Sequence, residues 1–459
     1  MEIKGMRLLL PPSKCYSYRF SMIKILKFGG TSLASASRMM QVADIVKTVK
    51  GTKLVVLSAI SGTTSSLVKI AKLHQEGASE KALNKLDELR EKEYDPYIKG
   101  LFQEYHTQEE VRLIANNYFK IVKDIISLPP DARSLKKIIV QGEMLSSYFF
   151  NLYFGVSSGK HKLIDAMDYM IMDDCREPDY DQIGKDLRPL MDKKTETFIT
   201  QGFICKDQYG NIDNLNRGGS DYSATIIGAV LNAVEVQIWT DIDGMHNNDP
   251  RFVKNTNPIS RLSYDEAGEL AYFGAKILHP TCIIPAQQYN IPVRIKNTMN
   301  PKAEGTVITH ERNPDGVKSI AAKSEITAIK IKSSRMIMAY GFLRKIFEVF
   351  EQYKTSIDMI TTSEIAVSLT IDDPLHLKSI VNDIKKFGLV EVDMNQTIIC
   401  IVGDMIAEKK GVGQLIFKAL REIPIRMIAY GGSKNNISIL VDSQHKTYSL
   451  NALNQHLFN

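Results

Sequence analysis

From residue 22 onward, short apolar runs alternate with longer stretches in which apolar residues recur at helical spacing. Up to about residue 310 this alternation predicts an α/β domain on a largely parallel sheet flanked by helices. Residues 23–28, 54–58 and 236–240 read as its clearest strands. Residues 79–128 are rich in Glu, Lys and Leu and hold no glycine except Gly100, so they read as a mainly helical insertion of the sort that caps a substrate site.

After Gly305 the pattern changes to a smaller β-α-β unit, ending in a strand hairpin, that occurs twice. A helix around Gly341-Phe342-Leu343-Arg344-Lys345-Ile346-Phe347 is matched by one around Gly413-Gln414-Leu415-Ile416-Phe417, with Phe347 and Phe417 separated by 70 residues. As the strands that follow, residues 356–360 correspond to 424–428, and 366–371 to 437–441. The expected organisation is a catalytic α/β domain over 22–310 and two α+β modules over 320–392 and 393–459. Residues 1–21 lack periodicity and are expected to be either a disordered extension or sequence ahead of a true start at Met22.

Composition narrows the class. The 459 residues, 44% apolar and 24% charged, suffice for about three cored domains at roughly 150 residues each. Lys and Arg number 58 against 52 Asp and Glu, a net charge of +6 without long basic blocks, so nucleic-acid binding is not the default. The five cysteines, at 15, 175, 205, 282 and 400, form no C-x-x-C pair, which argues against a disulfide frame or a cysteine-rich zinc site and points to the cytoplasm. No apolar run approaches the ~18 to 20 residues that cross a bilayer, so no membrane partner is expected.

The chemistry lies in turns at strand ends. Neither G-x-x-x-x-G-K-[ST] nor a post-strand G-x-G-x-x-G is present. Instead the first strand, carrying Lys27, runs into Gly29-Gly30-Thr31-Ser32 and a helix, so unobstructed backbone N–H groups and an ammonium can meet an anion. A second turn, Arg217-Gly218-Gly219-Ser220-Asp221, precedes a small-residue helix. Arg217 offers a fork suited to a carboxylate, and Ser220 and Asp221 stand where a helix N-cap is expected. Ser58-Ala59-Ile60-Ser61-Gly62-Thr63-Thr64-Ser65 and Thr240-Asp241-Ile242-Asp243-Gly244 follow two further strands, where open α/β sheets bind ligands. Glu143 falls in the first turn of a helix opened by Gln141-Gly142, where alone it reads as dipole decoration. His279, before Pro280, reads as structural rather than catalytic.

With Lys27-Phe28-Gly29-Gly30-Thr31-Ser32, Arg217-Gly218-Gly219-Ser220-Asp221, Trp239-Thr240-Asp241 and Phe273-Gly274-Ala275-Lys276 in this order, nearly everything after Met22 resembles aspartate kinase of the amino-acid kinase superfamily. Gly341-Phe342-Leu343, Ile360-Thr361-Thr362-Ser363-Glu364 and Arg426-Met427-Ile428-Ala429-Tyr430-Gly431 resemble the two ferredoxin-like ACT modules of the monofunctional, lysine-sensitive type, and no homoserine dehydrogenase domain is expected after Asn459. The resemblance implies ATP, Mg²⁺ and L-aspartate as reactants, with 4-phospho-L-aspartate and ADP as products.

By that resemblance Lys27 stabilises the transferring phosphoryl group, Gly29 and Gly30 cradle phosphates, and Asp221 organises the reacting groups. Arg217 takes the substrate α-carboxylate and Glu143 its ammonium, with Ser58, Thr64 and Ser220 around the substrate. Thr240, Asp241, His246, Arg251 and Lys276 surround the nucleotide, and no dedicated protein ligand for Mg²⁺ is implied. Met336, Ala339, Ser356, Ile357, Asp358 and Glu364 match the effector site, with lysine the leading inhibitor and threonine an alternative. A homodimer through the ACT modules is also implied. The chain departs from the family pattern at His246, where relatives often have tyrosine, at Ser65, where asparagine is usual, and at Met338-Ala339, where the lysine-sensitive type is more polar. Two rivals stay open at this point: a kinase of glutamate or a related carboxylate, and a catalytically dead amino-acid sensor.

Overall fold

A computed structural model of the protein describes residues 22–131, 133–157, 160–215, 218–274, 278–312, 316–333 and 340–458. The expectation for residues 1–21 lies outside them. The chain divides into two compact units, Met1–Met245 with Ile277–His310, and His246–Lys276 with Glu311–Asn459.

The first unit is built on β1 (Lys24–Phe28), β2 (Lys53–Leu57), β3 (His161–Leu163), β4 (Thr197–Gln201), β5 (Glu235–Thr240), β6 (Val293–Asn297) and β7 (Thr306–Thr309). These lie in the order β3-β4-β2-β1-β5-β6-β7, parallel except for the last pair. A parallel sheet sends all its strand exits to one edge, so the turns after β1, β2, β4 and β5 emerge side by side. That is the edge where such sheets bind ligands.

Alternation along the strands sorts the two faces. Leu26, Phe28, Val55, Leu57 and Trp239 enter one core with α1 (Ala36–Thr48), α2 (Thr63–Gln75) and α3 (Gln141–Ser157), and Phe28 stacks on Trp239 at 5.6 Å. On the other face α4 (Gly219–Leu231) packs against β1 and β5. A Cβ at Gly228 would come within 2.5 Å of Val236, so the missing side chain sets how closely α4 approaches. The insertion is helical as expected, with Ser79–Leu89, Asp95–Leu101 and Tyr105–Ile126 joined through a π-turn over Arg90–Tyr94. Its Tyr94 is buried against Phe119 and Phe149, with its hydroxyl 3.1 Å from that of Thr63.

The second unit carries α5 (Tyr264–Tyr272), β8 (Val317–Lys332), α6 (Phe342–Gln352), β9 (Ile360–Thr362), β10 (Ala366–Ile371), β11 (Leu389–Gly403), α7 (Val412–Ala419), β12 (Met427–Tyr430) and β13 (Asn436–Asp442). Its sheet runs β9-β10-β8-β11-β13-β12 and is antiparallel throughout. The internal repeat is visible in two helices that start alike: α6 is capped by Gly341 at φ 79° and α7 by Gly411 at φ 84°. Gly411 stands 70 residues after Gly341, the same offset as Phe347 and Phe417. A left-handed cap position tolerates glycine best, whereas Gly413 lies inside the helix. Ile346 and Ile416 are fully buried, each in its own core. The long β8 joins the halves: residues 327–332 pair with β10 and residues 319–323 with 398–402 of β11.

Gly305 is a point at which this geometry can be tested. It has φ 72°, and a Cβ there would lie 1.8 Å from the carbonyl oxygen of Ile295, so Gly305→Ala must displace backbone. We expect that variant to melt more than about 5 °C below the wild type or to be lost as soluble protein. Gly210→Ala, at φ 80° with nothing within 4 Å, should cost only about 1 kcal/mol. Equal melting temperatures for the two variants would contradict the packing.

Candidate active site

Lys27 lies near the end of the central strand β1 with 8% of its surface exposed. Its ammonium is 2.5 Å from Asp221 Oδ1. Asp221 reaches it from the first turn of α4, which begins after Gly218 at φ 86° and Gly219 at φ 44°. The helix cap is Gly218; no side chain caps this end, and Ser220 and Asp221 sit one and two residues inside the helix. This corrects the expectation of a Ser220 or Asp221 cap. The left-handed glycine turn itself starts the helix and leaves both side chains free to serve the cleft.

Opposite, Gly29 and Gly30 begin a 3-10 turn, Gly30–Leu33, directly after β1. A Cβ on Gly30 would sit 3.1 Å from the carbonyl of Ala59, and one on Gly29 would be 3.4 Å from the Lys27 ammonium. Both glycines thus keep the turn open beside the cation.

A cavity of roughly 400 Å³ adjoins this turn, lined by Gly30, Ser58, Thr64, Glu143, Ser220 and the ring of Phe203, among others. None of its lining residues comes from the insertion 79–128, which packs against α2 and does not cap this cavity as expected. Glu143, in the first turn of α3 as expected, is 4% exposed. Its Oε2 has no hydrogen-bond partner. Burial pushes its carboxyl up to about 8, against smaller opposing contributions from the backbone N–H of Ala59 and from Lys27. Ser146 holds the loop below by donating to the Ser58 carbonyl at 2.6 Å.

Thr240 and Asp241 lie at the exit of β5, next to β1, with the Thr240 hydroxyl donating to Asp241 at 3.1 Å. Arg217 and Lys276 are outside the described residues, as are Met336 and Ala339. His246 and Arg251 belong to the second unit, where His246 Nδ1 is 2.9 Å from the Thr256 hydroxyl and Arg251 is paired with Asp249 at 2.6 Å. Of the effector candidates, Ser356 and Glu364 are exposed and Ile357 half-buried. The Asp358 carboxylate is buried and accepts from Lys323 at 2.9 Å and Tyr272 at 2.8 Å. Sequence reasoning missed Phe203. It sits at φ 68° with its N–H donating to Ser223 at 2.8 Å, and only the preceding Gly202 hinted at a tight turn there.

Comparison with known proteins bears directly on this cleft. The amino acid kinase family profile matches residues 22–297 and an ACT domain profile matches 399–457. Aspartokinase 3 (chloroplastic) of Arabidopsis thaliana is 34% identical over 95% of this chain and 81% of its own length, and lysine-sensitive aspartokinase 3 of Escherichia coli 31% over 95% and 100%.

The chain belongs to the aspartokinase family.

Among solved structures, E. coli aspartokinase III in complex with aspartate and ADP superposes with a TM-score of 0.83 at 31% identity, over 95% of this chain and all of that one. The same enzyme in complex with lysine and aspartate gives 0.79 at 30%, with the same coverage. The architecture is thus an aspartokinase's: an amino-acid kinase fold followed by ACT modules. Aspartokinases transfer the terminal phosphoryl group of ATP to the side-chain carboxylate of L-aspartate, and the chain is an enzyme of this kind.

The raised Glu143 carboxyl carries a pH signature for this aspartokinase without ligand. Between the ordinary value of 4.5 and about 8 the folded protein keeps a proton that the unfolded chain has released, so stability falls as pH rises through that window. Melting curves from pH 5 to 9 should show Glu143→Gln gaining on the wild type as pH rises. Parallel curves would contradict the assignment.

Proposed function

We propose that phosphoryl transfer takes place where the Lys27–Asp221 pair meets the Glu143 cavity. The observation that carries this reading is the orphaned, buried Oε2 of Glu143 in a cavity whose other lining includes Ser58, Thr64, Ser220 and glycines alongside Ala59, Ile60 and Phe203. Burial keeps this carboxyl neutral because its charged form lacks a partner, and a substrate ammonium supplies that partner. Arg217 takes the α-carboxylate, and Ser58, Thr64 and Ser220 surround the carbon chain.

The acceptor carboxylate has an ordinary pKa of about 3.9 and is ionised at neutral pH, so no general base is required. One of its oxygens attacks the γ-phosphorus, the bond from that phosphorus to the β,γ-bridging oxygen breaks, and ADP leaves with the bonding pair. Lys27 neutralises charge on the transferring group, while Gly29 and Gly30 hold phosphate oxygens by backbone N–H groups. Thr240, Asp241, His246, Arg251 and Lys276 serve the nucleotide. The carboxylates near this edge are already engaged, Asp221 by Lys27, Asp241 by Thr240 and Asp243 by Asn297. No dedicated protein ligand is assigned to Mg²⁺, which would come with ATP and would screen the phosphate charge.

The ACT modules, over 320–392 and 393–459, carry feedback control by an amino acid, lysine first and threonine second. Asp358, with Ser356, Ile357, Glu364, Met336 and Ala339, forms the effector pocket. Leu343 and Phe347 on α6, and Leu415 and Phe417 on α7, leave apolar side chains exposed, which supports a homodimer paired through these modules. No helix among the described residues is long and apolar enough to cross a membrane, and a cytoplasmic location fits that.

The decisive assay follows ADP release with aspartate, glutamate or no acceptor, trapping acyl phosphate with hydroxylamine. Aspartate alone should give hydroxamate. Lys27→Ala should lower turnover by at least about 100-fold with modest change in the KM for aspartate, and Arg217→Ala should mainly raise that KM. Hydroxamate from glutamate, or near-normal kinetics in both variants, would refute the assignment.

A further inference from the structure

The two loops read as nucleotide-binding leave neighbouring strands, yet little joins them directly. The Gly29 N–H reaches the Trp239 carbonyl only at 3.3 Å. The connection is made by a third segment, at the exit of β6, which no motif singles out. The N–H of Thr298 donates to the Thr240 carbonyl at 2.8 Å. Its hydroxyl is 2.7 Å from that of Ser32, which itself donates to the Trp239 carbonyl at 3.3 Å. Either hydroxyl can donate in the Ser32–Thr298 bond, and in both cases the pair ties the two loops together. The Thr298 carbonyl accepts from Gln41 of α1 at 2.8 Å. Thr298 and Ser32 are 1% and 2% exposed, so solvent cannot replace these bonds.

The neighbouring residue fastens the rest of the β5 loop. Asn297 Nδ2 donates to Asp243 at 2.6 Å, and Asn297 Oδ1 accepts from the Met299 N–H at 2.8 Å. At the far end of that loop the Met245 N–H donates to the Thr306 hydroxyl at 2.8 Å. Neither Asn297 nor Thr298 lines the cavity that holds Glu143.

We propose that Thr298 and Asn297 are positioning residues for the nucleotide: they lock the glycine turn after β1 to the loop after β5, and so set the spacing between phosphate and nucleoside contacts without touching the amino-acid site. The proposal rests on the phosphotransfer reading of this edge and deepens it. Thr298→Val keeps the side chain's shape but removes the hydroxyl, and leaves Ser32 to shift its only remaining bond. Asn297→Ser frees Asp243 while changing no residue of the aspartate cavity.

The test combines steady-state kinetics in ATP and in aspartate with calorimetric titration of ADP alone, on the full chain. Thr298→Val and Asn297→Ser should each raise the KM for ATP and weaken ADP binding about tenfold, leave the KM for aspartate within about twofold, and Thr298→Ser should restore the wild-type values. Equal rises in both KM values, unchanged ADP binding, or failure of the serine variant to rescue would overturn the proposal. Should Thr298→Val not fold, Asn297→Ser carries the same readout. Should the wild type transfer no phosphoryl group to aspartate, the functional reading fails, while the ADP titrations still decide whether these residues position a nucleotide.

Discussion

A lysine ammonium buried at the end of a central strand has to find a negative partner, and most of the catalytic unit follows from how Lys27 finds Asp221. The carboxylate arrives on the first turn of α4, so that helix must start directly over the end of β1. It can do so only because Gly218 and Gly219 take left-handed backbone angles and because Gly228 lets the helix lie flat against β5. Breaking one partner of such a pair leaves a buried charge and typically costs about 3 to 5 kcal/mol, so the contact constrains fold and chemistry together. In the proposed reading the partner is provisional: phosphate oxygens at the turn of Gly29 and Gly30 would offer the same ammonium a second set of anions.

Glu143 supplies the complementary constraint. Lys27 enters the cleft already paired, whereas Glu143 waits in the protonated form over much of the neutral range because burial outweighs its backbone donors. In the proposed reading, binding an ammonium exchanges that proton for an ion pair at a carboxyl that is only 4% exposed. An acceptor lacking an ammonium would leave the carboxyl neutral and gain little. In the proposed reading, the physical basis for choosing an amino acid, as opposed to a simple diacid, is this one buried side chain.

Much of this was legible in the residue pattern. Alternating apolar runs located the central strands, glycine-rich turns located their exits, and Glu, Lys and Leu without interior glycine located the helical insertion. The 70-residue offset between Phe347 and Phe417 found the repeat. What stayed hidden depends on long-range pairing or backbone angle. The left-handed cap angles shared by Gly341 and Gly411 are one such feature. Strand β8 serves both halves of its sheet, which a linear repeat does not reveal. Phe203 reaches the cavity through a left-handed φ that phenylalanine seldom adopts, and Asn297 and Thr298 matter through bonds to residues more than fifty positions away. Glu143 looked like ordinary helix-dipole decoration; burial with one oxygen unpartnered is what separates it from the many first-turn acids on helices.

The most direct test of the central claim is a double-mutant cycle on turnover with Lys27→Met and Asp221→Asn. If the two groups act as one unit, each single variant should lose most of the activity and the double variant should be little worse than the poorer single one. Losses that multiply, as for independent residues, would contradict the account.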